Sequence, residues 1–284
     1  MFFRDYAKPG KGVNKRDPNE RRIKVFFDVF PRKIWDLFKL NILYVLASLP
    51  FVVVTMIVAG AVSSLVMNNI FSTTLSVEDV GIYDILIRTT VTFLFMIFAG
   101  FGPTTAGCAY IIREHACERH CWLISDFFAR FKSNFKQSTL LWLVDLVVLY
   151  LFTVAYGFYG QSGSVIFQYI ILLVALIYIM MHFYIYQIMI TYDLSLKNIL
   201  KNSFLMTMGK VPVNLLILIC NIVIYVVIPI SLIMLKADSL VTMIILLADV
   251  LFLPSITNFI TSFYVISVLK KYTADNEQKV EQDL

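Results

Sequence analysis

Charge is scarce in this 284-residue sequence: Asp, Glu, Lys and Arg make up 15% of it, and apolar residues 59%. A soluble domain carries about 25% charged and about 45–50% apolar residues. The shortage excludes an ordinary soluble globule, which would lack the polar surface to cover so much apolar chain. Cysteine is also sparse, with four residues. Cys108 and Cys220 fall in apolar runs and Cys117 and Cys121 in a charged loop, so a secreted disulfide framework is not expected. The sequence has no GxxxxGK[ST] phosphate loop, no HExxH and no G-x-S-x-G elbow. Each would place a specific chemistry. Without them no enzymatic activity, cofactor or metal is expected.

The apolar residues lie in long runs, and 18 or more in succession mark a membrane-helix candidate. Six spans are expected, near 40–67, 85–112, 140–159, 165–192, 213–235 and 240–269. The fold class is therefore all-α, a polytopic membrane bundle. Residues 1–39 form a basic N-terminal segment, 40–269 the transmembrane domain and 270–284 a polar, disordered tail. Within the first segment Val25, Phe26, Val29, Phe30, Ile34, Leu37 and Phe38 recur at helical spacing among Lys and Asp. That pattern suits an interfacial amphipathic helix. The segment lacks the short apolar core of a cleavable signal peptide, so the first span is expected to direct its own insertion.

Positive charge is sorted along the chain. Residues 1–39, 113–137, 193–212 and 270–284 hold 22 of the 24 Lys and Arg, leaving Arg88 and Lys236. The link 68–84 carries Glu78, Asp79 and Asp84 and no basic residue. Lys and Arg retained in the cytoplasm set orientation, which places the chain in the cell membrane with both termini on the cytoplasmic side. Two readings of the internal layout are open. The spans pair as three helical hairpins in a weak three-fold repeat, or each inward loop simply carries basic interfacial residues. The second is favoured, because the signal is compositional.

The stretch Gly100–Gln137 organises the whole. Gly100, Gly102 and Pro103 break the second apolar run, and Thr104, Thr105, Ala106 and Gly107 rebuild it from small residues. Such breakers are tolerated in a membrane helix where neighbours or hydroxyl side chains satisfy the freed backbone groups. Downstream, Asp126, Lys132, Asn134 and Lys136 interleave with Phe127, Phe128, Phe131 and Phe135. Aromatic and basic interleaving can bind single-stranded nucleic acid. Directly before a membrane span it fits anionic lipid or a cytoplasmic partner better, and no nucleic acid is expected.

Two acids fall inside spans, Asp145 and Asp249. At 1.5 Å per residue they lie about 10 Å from the inner end and about 14 Å from the outer end of their spans. Buried acids are costly in lipid and face the bundle interior or a polar path. His182, Asn221, Asn258 and Asn41 are the candidate partners. One reading is a proton, ion or solute path through Asp145, His182 and Asp249; the favoured one is interhelical hydrogen bonding. His115, Cys117, His120 and Cys121 fall within seven residues. These are zinc-ligand types, but H-x-C-x-x-H-C is not a finger spacing and one helix cannot easily wrap a tetrahedral ion.

An ordered set of short patterns completes the picture. These are Gly10-x-Gly12, Leu40-Asn41, Leu49-Pro50, Gly102-Pro103-Thr104-Thr105-Ala106-Gly107, Arg113, Trp122, Ser125-Asp126-Phe127 and Phe131-Lys132-x-Asn134-x-x-Gln137-Ser138. They cover about the first half of the chain, and the second half matches in layout. In this the chain resembles the YesL-like multi-spanning membrane proteins of Gram-positive bacteria. That resemblance implies no catalytic residues. It implies an accessory role beside carbohydrate ABC importers, whose subunits are the expected partners besides the lipid bilayer. The residues expected to carry the partner surface are Arg113, Asp126, Lys132, Asn134 and Gln137, angled by Gly102 and Pro103.

Overall fold

The computed structural model describes residues 21–68, 77–98, 100–227, 230–231, 234 and 238–282. Gly10, Gly12 and Lys236 lie outside them. Among the described residues there are helices and no strand. In chain order they are α1 (Arg22–Val66), α2 (Val77–Phe98), α3 (Pro103–Ala116), α4 (Leu123–Ser133), α5 (Phe135–Gln161), α6 (Val165–Thr191), α7 (Leu196–Gly209), α8 (Val211–Ile222) and α9 (Ser239–Gln282). A π-helical turn, Val223–Val227, extends α8. Four helices (α1, α5, α6 and α9) are long and apolar enough to cross a membrane. The α7–α8 pair, bent by 95°, makes a fifth if it counts as one span. These helices are compatible with a membrane location and with lipid contact. The count of six is not recovered among the described residues.

Several boundaries differ from expectation. The amphipathic segment and the first span form one 45-residue helix, about 68 Å long against a hydrocarbon core of about 30 Å. Nothing between Pro31 and Pro50 breaks it. The expected second span divides at Gly100–Gly102 into α2 and α3. Glu78, Asp79 and Asp84 belong to α2 rather than to a link. The loop after Arg113 contains α4. The tail expected to be disordered continues α9 to Gln282, in a run rich in helix-forming Glu, Gln and Lys.

Exposure divides the bundle into two layers. In one, large apolar side chains point outward: Leu46 to Leu65 on α1, Leu143 to Phe158 on α5, Val165 to Val174 on α6 and Leu240 to Val250 on α9. In the other, the same helices turn inward-packed. Val25, Val29, Leu37 and Leu40 of α1 meet Ile111, Ile112, Phe127, Phe259 and Phe263. Tyr184 to Ile190 of α6 join Ala106, Leu141, Ile199 and Val265. Basic segments collect in the packed layer. Arg32 pairs with Glu118 at 2.6 Å, Arg22 lies over the Phe263 ring and Arg130 over the Tyr110 ring. The helix at the centre is α3, which packs against α1, α4, α5, α6 and α9.

Helices α1 and α9 run antiparallel and meet at a proline. Pro254 has no N–H, so the carbonyl four residues before it, Val250, loses its helical donor. The Asn41 side chain supplies one: Nδ2 donates to the Val250 carbonyl at 2.7 Å. Its Oδ1 accepts from Ser255 N–H at 3.2 Å and Ser255 Oγ at 3.0 Å. Asn41 is fully buried. Its partner is thus a proline break and not an acid.

Asn41→Leu should orphan the Val250 carbonyl at a cost of about 1–3 kcal/mol, seen as a lower unfolding midpoint in detergent. Pro254→Ala restores the missing N–H and should recover part of that loss. Equal loss in both backgrounds would contradict the pairing.

Candidate functional site

The break before α3 is built from two left-handed glycines, Gly100 (φ 62°) and Gly102 (φ 52°). A Cβ at Gly102 would lie 3.2 Å from the Ser138 carbonyl oxygen and 3.3 Å from Trp142 Cβ, so α5 packs directly on the turn. Pro103 opens α3 where a missing N–H costs nothing. The two threonines then close the turn: Thr104 Oγ1 donates to the Phe101 carbonyl at 2.7 Å, and Phe101 N–H donates to Thr105 Oγ1 at 3.0 Å. The expectation that hydroxyls satisfy the break holds. One turn on, a Cβ at Gly107 would lie 2.9 Å from the Phe127 carbonyl oxygen and 3.1 Å from its ring. Any side chain there displaces α4.

The residues expected to form a partner surface divide into scaffold and surface. Asp126 Oδ2 accepts from Trp122 N–H at 2.8 Å, capping α4. Asn134 sits between α4 and α5, its Nδ2 donating to the Arg130 carbonyl at 3.1 Å and its carbonyl accepting from Ser138 Oγ at 2.6 Å. Gln137 Nε2 donates to the Leu194 carbonyl at 2.7 Å, tying α5 to the connection after α6. Gly102 and Pro103 set the angle of α3. Lys132 is exposed and Arg113 half-buried, and Trp122 and Ile124 are exposed.

Asp145 and His182 come together; Asp249 does not join them. Asp145 is fully buried, and its Oδ1 accepts from Tyr178 Oη at 2.6 Å and lies 3.1 Å from His182 Nε2. His182 Nδ1 lies 3.1 Å from the Tyr178 carbonyl. A carbonyl only accepts, so Nδ1 carries hydrogen. Nε2 and the carboxylate then need one proton between them, since two facing lone pairs would repel. With that proton the pair is neutral overall, whichever partner holds it, which limits the cost of burying an acid among apolar helices. Asp145 Oδ2 is buried with no hydrogen-bond partner. Asp249 is half-buried and has no hydrogen-bond or ion-pair partner among the described residues. Asn221 instead donates to Thr261 at 2.9 Å, and Asn258 is exposed.

The cysteine–histidine run is opened out by the end of α3. His115 is buried on that helix while His120 is exposed. Cys121 Sγ lies 3.8 Å from His115 Nδ1. Among the described residues no three His, Cys, Asp or Glu side chains are grouped to hold a metal ion. Burial pushes the His115 imidazole down to about 4, reinforced by Lys33 and opposed by Asp36. Burial also raises the Cys121 thiol, with Asp126 adding to it, so this cysteine stays protonated and poorly nucleophilic.

Sequence reasoning missed the tyrosines. Tyr178 precedes His182 by one helical turn and shares its face, a signal available once Asp145 is assigned a partner on α6. Tyr184 Oη donates to Asn214 Oδ1 at 2.7 Å and lies 3.3 Å from Tyr264 Oη. Gln187 Nε2 donates to Ser262 Oγ at 2.9 Å. Nothing in the linear sequence marks those pairings.

Two outcomes follow from this geometry. In a double-mutant cycle, Asp145→Ala and His182→Ala should couple by about 1–3 kcal/mol, whereas Asp145→Ala and Asp249→Ala should add within about 0.5 kcal/mol. Unfolding free energies of the wild type, the three single variants and the two double variants in detergent check this. His115 has a folded pKa below its unfolded value near 6.5, so the unfolded chain binds the extra proton. Its contribution is fully present above about pH 6.5 and is lost as pH falls towards about 4. His115→Gln should flatten the stability profile in that window; an unchanged slope would contradict the burial.

Residues 37–156 match a family described as "Protein of unknown function, DUF624". That segment runs from α1 through most of α5, and so contains the break, α3, α4 and Asp145. No curated protein and no solved structure matches the chain.

Proposed function

We propose that this chain is a non-enzymatic, six-span protein of the cell membrane with both termini in the cytoplasm, acting as an accessory subunit of a carbohydrate ABC importer. The observation that carries the reading is the packed basic layer around α3. There the turn, the α4 cap and the Gln137 tie fix one rigid face, leaving Lys132, Trp122 and Ile124 outward. A face held this way suits a partner better than a moving catalytic part. The YesL-like resemblance alone supplies the importer; the match over 37–156 includes Trp122, Lys132 and Gln137 but is to a family of unknown function. Six spans are reached by adding the bent α7–α8 pair and α2, whose 22 residues extend about 33 Å, to the four long helices. The asymmetry of Lys and Arg supplies the orientation.

A second reading, a transporter or substrate-capture subunit with a polar path through Asp145, His182 and Asp249, is favoured by one contact, that between Asp145 and His182. It requires Asp249 to serve a separate part of the path.

Gentle extraction of tagged chain from its native membrane distinguishes the two. Importer permease or ATPase subunits should co-purify with the wild type and be lost from Trp122→Ala/Lys132→Glu, with no solute flux by the purified chain in liposomes. Flux without any partner, abolished by Asp145→Asn or Asp249→Asn, would overturn the accessory role in favour of transport.

A further inference from the structure

The 95° bend between α7 and α8 leaves a cavity of about 230 Å³ against the 264–272 stretch of α9. Lys210 at the bend and Lys271 on α9 line it, with Tyr264, Ser267 and Tyr272 and an apolar floor of two valines. No carboxylate is among the lining residues. Neither lysine side chain has an ion-pair or hydrogen-bond partner among the described residues, and the Tyr272 hydroxyl has none either. Tyr272 reaches the site because residue 209 is glycine, where a Cβ would sit 3.1 Å from its hydroxyl oxygen. The floor is held from behind. Asn214 Nδ2 donates to the Thr207 carbonyl across the bend at 3.2 Å, and Asn214 Oδ1 accepts from Tyr184.

Two lysines lining one cavity with no carboxylate beside them give it a positive potential that a bound anion would lower. Two lysines therefore share one concavity with the Tyr272 side chain in its lining. Lysine is a good point-charge partner for phosphate, and the valine floor can take the aliphatic part of the molecule that carries it.

We propose that this cavity binds a phosphate group. Its source is either the head group of an anionic phospholipid or a soluble phosphate. Only the lipid source rests on the membrane placement above, and neither depends on the importer role.

The full chain is reconstituted in nanodiscs of phosphatidylcholine, with and without phosphatidylglycerol, and separately in phosphatidylcholine with inorganic phosphate. Retained phosphatidylglycerol is read by native mass spectrometry, and protection of Lys210 and Lys271 from acylation by peptide mapping. Wild-type chain should retain the anionic lipid and show both lysines protected. Lys210→Gln/Lys271→Gln should bind about tenfold or more weakly, the loss of charge-assisted contacts, while Lys201→Gln should bind as the wild type does. Protection by inorganic phosphate alone, without lipid retention, supports the site and assigns it to a soluble ligand. Retention that is equal in wild type and double variant overturns the proposal. So does acylation of the two wild-type lysines unchanged by either ligand, a result that stands even if the double variant fails to fold.

Discussion

The constraint on which the rest of this structure depends is the close approach of other helices to α3. A helix can be surrounded on several sides only if its own side chains are short, because each added methylene moves a neighbour outward. In the first turns of α3 the residues that face neighbours are Thr104, Ala106, Gly107, Cys108 and Ala109, all buried, and the larger buried Ile111 and Ile112 come only towards its other end. Gly107 goes furthest, with the backbone of α4 where its side chain would be. Small residues serve membrane helix packing for this reason, since van der Waals contact replaces the hydrophobic drive that lipid does not provide. Once α3 is central, α1, α5, α6 and α9 have a common surface, and their basic ends gather around it.

Putting a helix there requires the chain to turn sharply, which raises a second problem. Each proline or glycine break frees backbone groups that are expensive to leave unpaired away from water. The molecule solves this in two ways. At Gly100–Pro103 the solution is local: two threonines adjacent in sequence complete the turn. At Pro254 it is distant: Asn41, on a helix more than two hundred residues earlier, donates to the freed carbonyl. The distant solution adds something the local one does not, since it fixes the first and last long helices in register. A buried asparagine whose three contacts all fall around one proline specifies alignment more sharply than the apolar contacts around it, which could slide by a turn at little cost.

How much of this was legible follows from the range of each interaction. Local chemistry was readable. The break at Gly100–Pro103, its closure by hydroxyls and the helices on either side follow from residues within five positions of one another. The hydrophobic runs were equally plain, because composition over 20 residues does not depend on distant partners. Boundaries were harder. Lys39 looks like the edge of a span, yet α1 continues straight through it, because the helix does not change conformation where its surroundings change. Asp126 and Asn134 looked like surface residues for a partner, and their side chains instead bond backbone within four residues, a choice open to any short polar side chain. Pairing across helices was partly legible. Asp145 and His182 could be matched as the acid and the histidine inside spans, but Asp249 carries the same signal and has no partner among the described residues. Asn41 carried the signal of an intramembrane polar group and was matched to an acid, when the real need was a carbonyl freed by a proline.

The position of the polar contacts gives the two layers their meaning. Asp145, Tyr178 and His182 lie where α6 changes from outward-facing apolar residues at Val174 to a fully buried face at Tyr184. Asn41 and Pro254 lie at the corresponding change in α9, between Val250 and Ser255. In the outward-facing layer buried surface is confined to a smaller cluster of α1, α2 and α5 around Ala59, Val62, Phe95, Trp142 and Leu146, where Trp142 Nε1 donates to Thr55 Oγ1 at 3.3 Å; elsewhere in that layer directional contacts would hold little in place. In the packed layer apolar burial is already extensive. A hydrogen bond placed at the change between them acts on both, anchoring the loosely packed half to the tightly packed one. The proton shared by Asp145 and His182 fits that role, because a net-neutral pair keeps its directionality without the desolvation cost of an isolated charge. The bundle is therefore best understood as a rigid basic end from which its apolar helices extend, with the strongest polar contacts placed at the joint.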